Sequence, residues 1–291
     1  MEFIQQLING LALGSVYALL ALGYTMVYGI IQLINFAHGE IYMIGAFAGF
    51  YSATTLKLPL IPTLLVAMAV SSLAGIIIEK IAYKPLRNSP RITLLITAIG
   101  VSLLLQNSMR ILVGSDPKPF PDLINAGTLN IGAVQIQWKT ILMFLVSALL
   151  VLVLQFIVYK TKLGKAMRAA SQDIEAASLM GINVNNTISF TFALGSALAG
   201  IAGVLVAISY PSITPYIGVM PGLKSFVAAV LGGIGSIPGA LVGGLLIGIL
   251  ETLSKAYIST SFSDAIVFGI LILILLIKPS GLLGKKANVK V

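Results

Sequence analysis

The chain has 291 residues, of which 58% are hydrophobic and only 9% charged, and its mean hydropathy is +1.02. This is too little polar surface to cover a water-soluble globule, so the composition predicts an integral membrane protein. The net charge of +9 is not gathered in one basic patch, which excludes nucleic acid as the expected partner. Twelve of the 18 Lys and Arg residues instead lie in three groups beside apolar segments, a pattern that indicates membrane topology. The groups are Lys80, Lys84, Arg87 and Arg91; Lys160, Lys162, Lys165 and Arg168; and Lys278, Lys285, Lys286 and Lys290.

The first apolar segment, residues 3–31, lacks a basic start and is too long for a cleaved signal peptide, so it predicts a permanent span with its N-terminus outside. A polar interruption follows, and the apolar stretch behind it, 41–55, is short for a straight crossing. This predicts a broken or tilted helix. Polar residues at this depth either cap helices at the interface or line a path. They are Asn35, His38, Gly39 and Glu40.

The next spans are predicted at 58–79 and 92–113, separated by a basic loop that should be cytoplasmic. Gln106 is expected at the membrane interface near the end of the second of these. Residues 114–137 are rich in Pro, Asp and Asn, with short β-like runs, and form the largest outward loop. Trp138 marks the interface where another span, to residue 159, begins.

The segment 160–182 is the longest polar, charge-bearing run in the chain. Ser171 or Gln172 is predicted to cap a short helix, and Gly181 to end it in the left-handed conformation. One interpretation is a loop helix lying at the cytoplasmic surface; the other is a docking helix for a partner protein. The pattern Glu175-Ala176-Ala177 with Gly181 resembles the EAA loop of ABC importer permeases, which docks on an ATPase subunit. The coupling residues that this resemblance implies are Arg168, Asp173, Glu175, Ala176, Ala177 and Gly181.

The second half repeats the order of the first. A span at 187–208 is followed by a Pro-rich interruption at 210–224 and a short apolar stretch to 231. The glycine run at 232–239 lacks the Gly-Lys-Ser/Thr ending of a phosphate-binding loop, so no ATP site is expected on this chain. Two more spans are predicted at 239–254 and 263–278. The residues singled out in the interruption are Pro221, Gly222 and Lys224.

The predicted fold is a single all-α transmembrane domain over residues 1–291, with nine crossings, or eight and a re-entrant segment. The N-terminus would then lie outside and the C-terminus inside. Because residues 7–113 and 187–278 start on opposite sides, the halves would form an inverted repeat. Paired broken segments in inverted halves favour a substrate path at their junction. Asn35, His38 and Lys224 are the polar groups expected near it, whereas one His and one carboxylate are too few for a metal site.

Four motifs together resemble those of the Liv-type branched-chain amino acid permeases, closest to the shorter, H-type subunit. They are LALGSVYALLALG at 11–23, INFAHGE at 34–40, the loop from Glu175 to Gly181, and AVLGGIGSIPGA at 229–240. The resemblance implies an importer of the bacterial inner membrane, with a second permease subunit, two ATP-binding subunits and a periplasmic binding protein. It also implies a transport subunit rather than an enzyme, with ATP bound by the partner and no cofactor on this chain.

Two alternatives stay open. Related permeases for urea and short amides share these motifs. A self-contained secondary transporter also fits inverted broken helices. Such a transporter needs charged residues at mid-membrane, for which the sequence offers His38, Glu40 and Glu251. A membrane-embedded enzyme is disfavoured, because the sequence offers no set of nucleophile, base and metal ligands.

Overall fold

The computed structural model describes residues 2–87, 89–124, 127–131 and 134–284. These residues form eleven α-helices and one β-hairpin, and α3 continues through a π-turn at Glu79–Tyr83. The predicted basic tail, Lys285, Lys286 and Lys290, lies outside the described residues. The elements are α1 Glu2–Ile31, α2 His38–Thr54, α3 Leu60–Ile78, α4 Arg91–Val113, β1 Thr128–Ile131, β2 Val134–Gln137, α5 Trp138–Lys160, α6 Lys162–Gln172, α7 Ile174–Leu179, α8 Val184–Ser209, α9 Val219–Gly232, α10 Ile237–Tyr257 and α11 Ser263–Ile277.

The all-α membrane architecture is confirmed. Of the helices in the described residues, six are long and apolar enough to cross a membrane, and the apolar helices α9 and α11 are shorter. The nine helices of 14 residues or more in the described part of the chain match the nine predicted apolar segments. One boundary was wrong: the second interruption covers 210–218 rather than 210–224. Pro221 and Gly222 belong to the first turn of α9, where a proline costs no helical hydrogen bond.

The two ends of the helix bundle are distinguished by their loops. At the hairpin end, the backbone N–H of Gln135 on β2 donates to Gln5 Oε1 on α1 at 2.9 Å. Residues 114–120 also lie there and pair with the second interruption through Lys118 and Ile213. At the loop end lie α6, close to Tyr28 of α1, and α7, whose Ile174 lies close to Ile31 at the end of α1. The bundle therefore presents the polar run 160–182, called here the coupling segment, and the predicted outward loop 114–137 at opposite ends.

The halves run in opposite directions, in agreement with the predicted inversion. Helix α1 starts beside Ser209 at the hairpin end and finishes beside Val184 at the loop end, so it is antiparallel to α8. Helix α3 is antiparallel to α8, because Ser72 Oγ donates to the carbonyl of Ala193 while Glu79 Oε2, farther along α3, accepts from Ser189 Oγ. Helix α10 is likewise antiparallel to α1. Each half thus has a long central helix, a short helix and a flanking span in the same order along the chain, and the two sets run in opposite directions.

Glycines let the central helices approach backbone to backbone. A Cβ placed on Gly14 of α1 would lie 2.8 Å from the Cα of Leu245 on α10, and one on Gly248 would overlap the Cα of Gly14. Helices α2 and α8 meet in the same way at Gly45 and Gly200. In lipid, where apolar side chains gain nothing by leaving solvent, such close contacts supply the packing energy that holds helices together.

We expect Gly248→Val to destabilise the bundle, because the new side chain collides with the backbone of α1. Overpacking of this kind costs about 1–3 kcal/mol. Gly269→Val on α11 is the matched control, since a Cβ there meets nothing within 4 Å. Each purified variant is heated to a series of temperatures and run on size-exclusion chromatography. The melting temperature is the one at which half of the monodisperse peak is lost. Equal melting temperatures for the two variants would contradict the α1–α10 contact.

Candidate functional site

The predicted breaks meet inside the bundle. The first turns of α2 and α9 are in backbone contact: a Cβ on Gly39 would lie 2.5 Å from the carbonyl oxygen of Gly218 and 3.2 Å from the Cα of Gly222. Only glycine permits this approach. We call this meeting point the junction, defined by Gly39, Gly218 and Gly222. From it, α2 runs toward the hairpin end and α9 toward the loop end.

Aromatic side chains surround the junction. The ring of Tyr24 on α1 lies edge-on to His38 at 4.7 Å and to Phe226 at 5.9 Å, and Phe36 lies 5.7 Å from Phe226. The cavity left beside Tyr24, Ile34 and Phe226 measures about 10 Å³, which has room for no more than a water molecule. The junction is therefore closed in this structure.

His38 lies at the junction, and its place near a substrate path stays a prediction. It is 2% exposed and the first residue of α2, hydrogen-bonded to the backbone of Leu20, and its Nε2 atom has no partner among the described residues. The capping role weighed for Asn35 and His38 is wrong, because Ala37 is the N-cap of α2 and no side chain caps it. Asn35 instead accepts a hydrogen bond from Tyr83 Oη at 2.6 Å, which ties the first interruption to the π-turn after α3.

Glu40 points away from the junction toward α4. Its Oε1 atom accepts hydrogen bonds from Gln106 Nε2 at 2.7 Å and Ser102 Oγ at 3.1 Å, and the residue is 2% exposed. Gln106 was expected at the interface rather than as a buried ligand, but it is half-buried and donates to one oxygen of this carboxyl group; the other, Oε2, has no partner among the described residues. The sequence carried a signal for this pair, because Ser102 and Gln106 are one helical turn apart on one face of α4.

Lys224 also points away from the junction, toward α10 and α11. Its ammonium lies 2.7 Å from Glu251 Oε1 and 2.7 Å from Asp264 Oδ1. Glu251 is 2% exposed and is contacted as well by Lys255 at 2.5 Å and by Tyr17 Oη at 2.8 Å. A chain of alternating charges thus joins four helices: Lys255, Glu251, Lys224 and Asp264, with Tyr17 as its neutral member. Tyr17 and Asp264 were not identified from the sequence.

The coupling segment is two helices rather than one. Residues 162–172 are already helical as α6, so Ser171 and Gln172 do not cap, and the cap of α7 is Asp173, whose Oδ1 accepts from the N–H of Ala176 at 2.9 Å. The predicted end is right, since Gly181 has a φ of +82° in the left-handed region. Helix α8 begins only three residues later.

The predicted coupling residues divide into anchors and surface. Ala177 is 4% exposed and packs inward, and Arg168 donates to the carbonyl of Val158 and stacks 5.3 Å from the Tyr159 ring, which fixes α6 on α5. Glu175 and Ala176 are exposed. The surface also includes two apolar side chains that were not predicted, Leu179 at 88% and Met180 at 83% exposure. Large apolar side chains so fully exposed at a polar end of the bundle indicate an interaction surface.

Comparisons with known proteins match this architecture over nearly the whole chain. A family model described as "Branched-chain amino acid transport system / permease component" matches residues 6–275. The chain belongs to this permease family. The permease is 47% identical to the high-affinity branched-chain amino acid transport system permease protein LivH of Escherichia coli K12, over 99% of this chain and 98% of that protein. It is 44% identical to BraD of Pseudomonas aeruginosa, over 100% and 98% of the two chains.

Solved structures similar to the permease share its fold. PsaBC from Streptococcus pneumoniae in complex with Fab superposes with a TM-score of 0.53 at 17% identity, covering 96% of this chain and 93% of that one. An inward-facing conformation of a putative metal-chelate type ABC transporter gives 0.52 at 16% identity, covering 94% and 87%. Membership of a permease family makes this chain a transport subunit and not an enzyme.

We expect the loss of Glu251 and the loss of Lys224 to have unequal effects on stability, because the two residues leave different partners behind. Glu251→Gln leaves Lys224 buried with only Asp264, whereas Lys224→Met leaves Glu251 with Lys255 and Tyr17 and leaves Asp264 free to hydrate. Breaking a buried pair costs about 3–5 kcal/mol, so we expect Glu251→Gln to lower the melting temperature by roughly 5–10 °C and Lys224→Met by clearly less. The double variant should be more stable than the sum of the two losses predicts.

The control is Lys139→Met, which breaks the exposed pair of Lys139 with Asp122 at 3.2 Å. A hydrogen bond from the backbone N–H of Ile124, together with Lys139, lowers the pKa of Asp122, but exposed pairs contribute little to stability. We expect a change of at most about 1 kcal/mol. Equal losses for Glu251→Gln and Lys139→Met would show that the buried chain does not hold the four helices together.

Proposed function

We propose that this permease is a transmembrane subunit of an ABC importer that moves branched-chain amino acids across the bacterial inner membrane. Two ATP-binding subunits would supply the energy, a second permease subunit would complete the membrane part, and a periplasmic binding protein would deliver the substrate. The observation that carries the proposal is the coupling segment. Its second helix, α7, is short and capped by Asp173, and it leaves Leu179 and Met180 almost fully exposed at the loop end of the bundle.

The ATPase is the occupant that we propose for this surface. Glu175 and Ala176 on the exposed side of α7, with Leu179 and Met180 at its end, offer an apolar contact beside a charge, as partner-binding helices do. Because Gly181 ends α7 in a fixed left-handed turn three residues before α8, a displacement of α7 moves the start of α8. Helix α8 is packed against α2 and α3 at Gly200, so the movement reaches the junction.

The proposed orientation follows from this contact. If the coupling segment meets an ATPase, the loop end is cytoplasmic, and the hairpin end with the N-terminus faces the periplasm. The basic residues at the loop end, such as Lys84, Lys162 and Lys165, support this assignment through the positive-inside rule. The C-terminus would be cytoplasmic, because α11 runs back to the loop end, where the N–H of Leu282 donates to the carbonyl of Leu231.

We propose that the path runs past the junction and opens by alternating access. The aromatic and apolar lining around Tyr24, Phe36 and Phe226 suits leucine, isoleucine and valine, whose side chains are apolar. It offers little to urea, which needs hydrogen-bond partners on all sides. A secondary transporter would want ionisable groups facing the path, yet Glu40 and Lys224 face away from the junction. Of the three residues that the sequence offers for ion coupling, His38, Glu40 and Glu251, His38 lies at the junction.

One reconstitution tests the proposal and its mechanism together. The complex purified with this permease is placed in proteoliposomes with internal ATP, and uptake of leucine and of urea is measured with the binding protein outside. We expect ATP-driven leucine uptake. With Gly181→Val, uptake should fall at least tenfold while the ATPase remains bound and active, since a β-branched residue at φ +82° is strained by about 1–2 kcal/mol or more.

Gly181→Asn is the matched control, because asparagine tolerates the left-handed region far better. It should keep most of the uptake. Open space surrounds Gly181, so neither side chain meets a clash and the two variants differ chiefly in backbone strain. Full uptake by Gly181→Val would count against coupling through α7. Uptake of urea but not leucine would favour the alternative substrate, and ATP-independent uptake by the permease alone would favour a secondary transporter.

A further inference from the structure

A second cavity lies at the hairpin end, far from the coupling segment. It is an open cleft of about 480 Å³ between the first turns of α1, strand β2, the start of α5 and the end of α10. This volume falls in the range of small-molecule sites, roughly 300–1,000 Å³. Ser209 and Tyr210, which lead from α8 into the second interruption, form its remaining wall. The cleft therefore opens beside the segment that leads to α9 and the junction.

The rim of the cleft is unusually rich in side-chain amides. Each amide offers both a donor and an acceptor, so a ring of them can bind an ammonium and a carboxylate at once. Two of them are held in place, because the Gln5 side chain on α1 accepts from the backbone of β2 and its Nε2 atom donates to Asn9 Oδ1 at 3.4 Å. The amides are Gln5, Gln6, Asn9, Gln135 and Gln137.

A single cation, Lys255, lines the cleft, and its position is fixed. Its ammonium donates to Glu251 Oε1 at 2.5 Å, while its side chain stays 42% exposed. An ammonium has three hydrogens, so others remain for a ligand carboxylate. The floor is apolar, formed by the buried side chains of Ala12, Leu13 and Met143. The cleft thus offers a cation, ammonium acceptors and an apolar surface within one volume.

We propose that this cleft is where the permease first binds its amino acid. Lys255 binds the α-carboxylate, the amide oxygens accept from the α-ammonium, and the floor receives the aliphatic side chain. This inference rests on the proposed function and adds the residues that recognise the substrate headgroup. It also gives binding a consequence. A ligand carboxylate competes with Glu251 for the ammonium of Lys255. Glu251 also pairs with Lys224 on the short helix α9, so binding changes the charge balance around that helix.

The test compares two ligands on the wild type and on three variants. Equilibrium binding of leucine and of leucinamide, which lacks the carboxylate, is measured on the purified transporter complex without ATP or binding protein. In the wild type we expect leucine to bind about tenfold more tightly than leucinamide. In Lys255→Gln we expect this preference to vanish, with leucinamide affinity nearly unchanged. Lys255→Arg keeps the charge and should keep the preference.

Lys139→Gln is the matched control, a lysine at the start of α5 that does not line the cleft, and it should behave as the wild type. A merely structural effect of Lys255→Gln would weaken both ligands alike, so an unchanged leucine preference in that variant overturns the inference. So does a complex that takes up leucine but shows no saturable leucine binding. If the wild type neither binds nor takes up leucine, the proposed function itself fails.

Discussion

The rest of the structure depends on one close approach, the backbone contact between the starts of α2 and α9 at Gly39, Gly218 and Gly222. No other residue type fits there, since any Cβ would meet backbone atoms. With the backbones in contact, the charged side chains nearest the junction point away from it. Glu40 finds Ser102 and Gln106 on α4, and Lys224 finds Glu251 and Asp264. The two halves therefore correspond in a second way: each short helix carries one charged side chain near the junction, and this side chain pairs with other helices of the same half.

The fold connects this contact to the coupling segment by rigid parts. Helix α7 is held by the Asp173 cap at one end and by Gly181 at the other, and α8 begins directly afterwards. Helix α8 is almost wholly buried and meets α2 backbone to backbone at Gly45 and Gly200. Packed backbones transmit a displacement because they cannot absorb it by side-chain rearrangement. This is the physical basis of the proposed coupling between an ATPase at the loop end and the path.

Much of this was predictable from the sequence, and the remainder failed for identifiable reasons. The length of apolar runs predicted the helices, and two interruptions in matching places predicted the broken helices and their inversion. The partners of Glu40 and Glu251 could not be predicted in this way. Helical periodicity shows which residues share a face, as Ser102 and Gln106 do, but not which helix covers that face. The Asp173 cap was misplaced because α6 continues farther into the polar run than its composition suggests.

The most direct test of the account concerns the closed junction. The chain has no cysteine, so Phe36→Cys and Phe226→Cys, which replace rings 5.7 Å apart, can be joined by a short methanethiosulfonate linker without background labelling. The measurement is ATP-driven leucine uptake by the reconstituted complex before and after linking, and after reduction, with each single-cysteine variant alongside. The account predicts that linking stops uptake and reduction restores it, because the first interruption, which carries Phe36 and leads into α2, must separate from α9. Undiminished uptake with the link intact would contradict it.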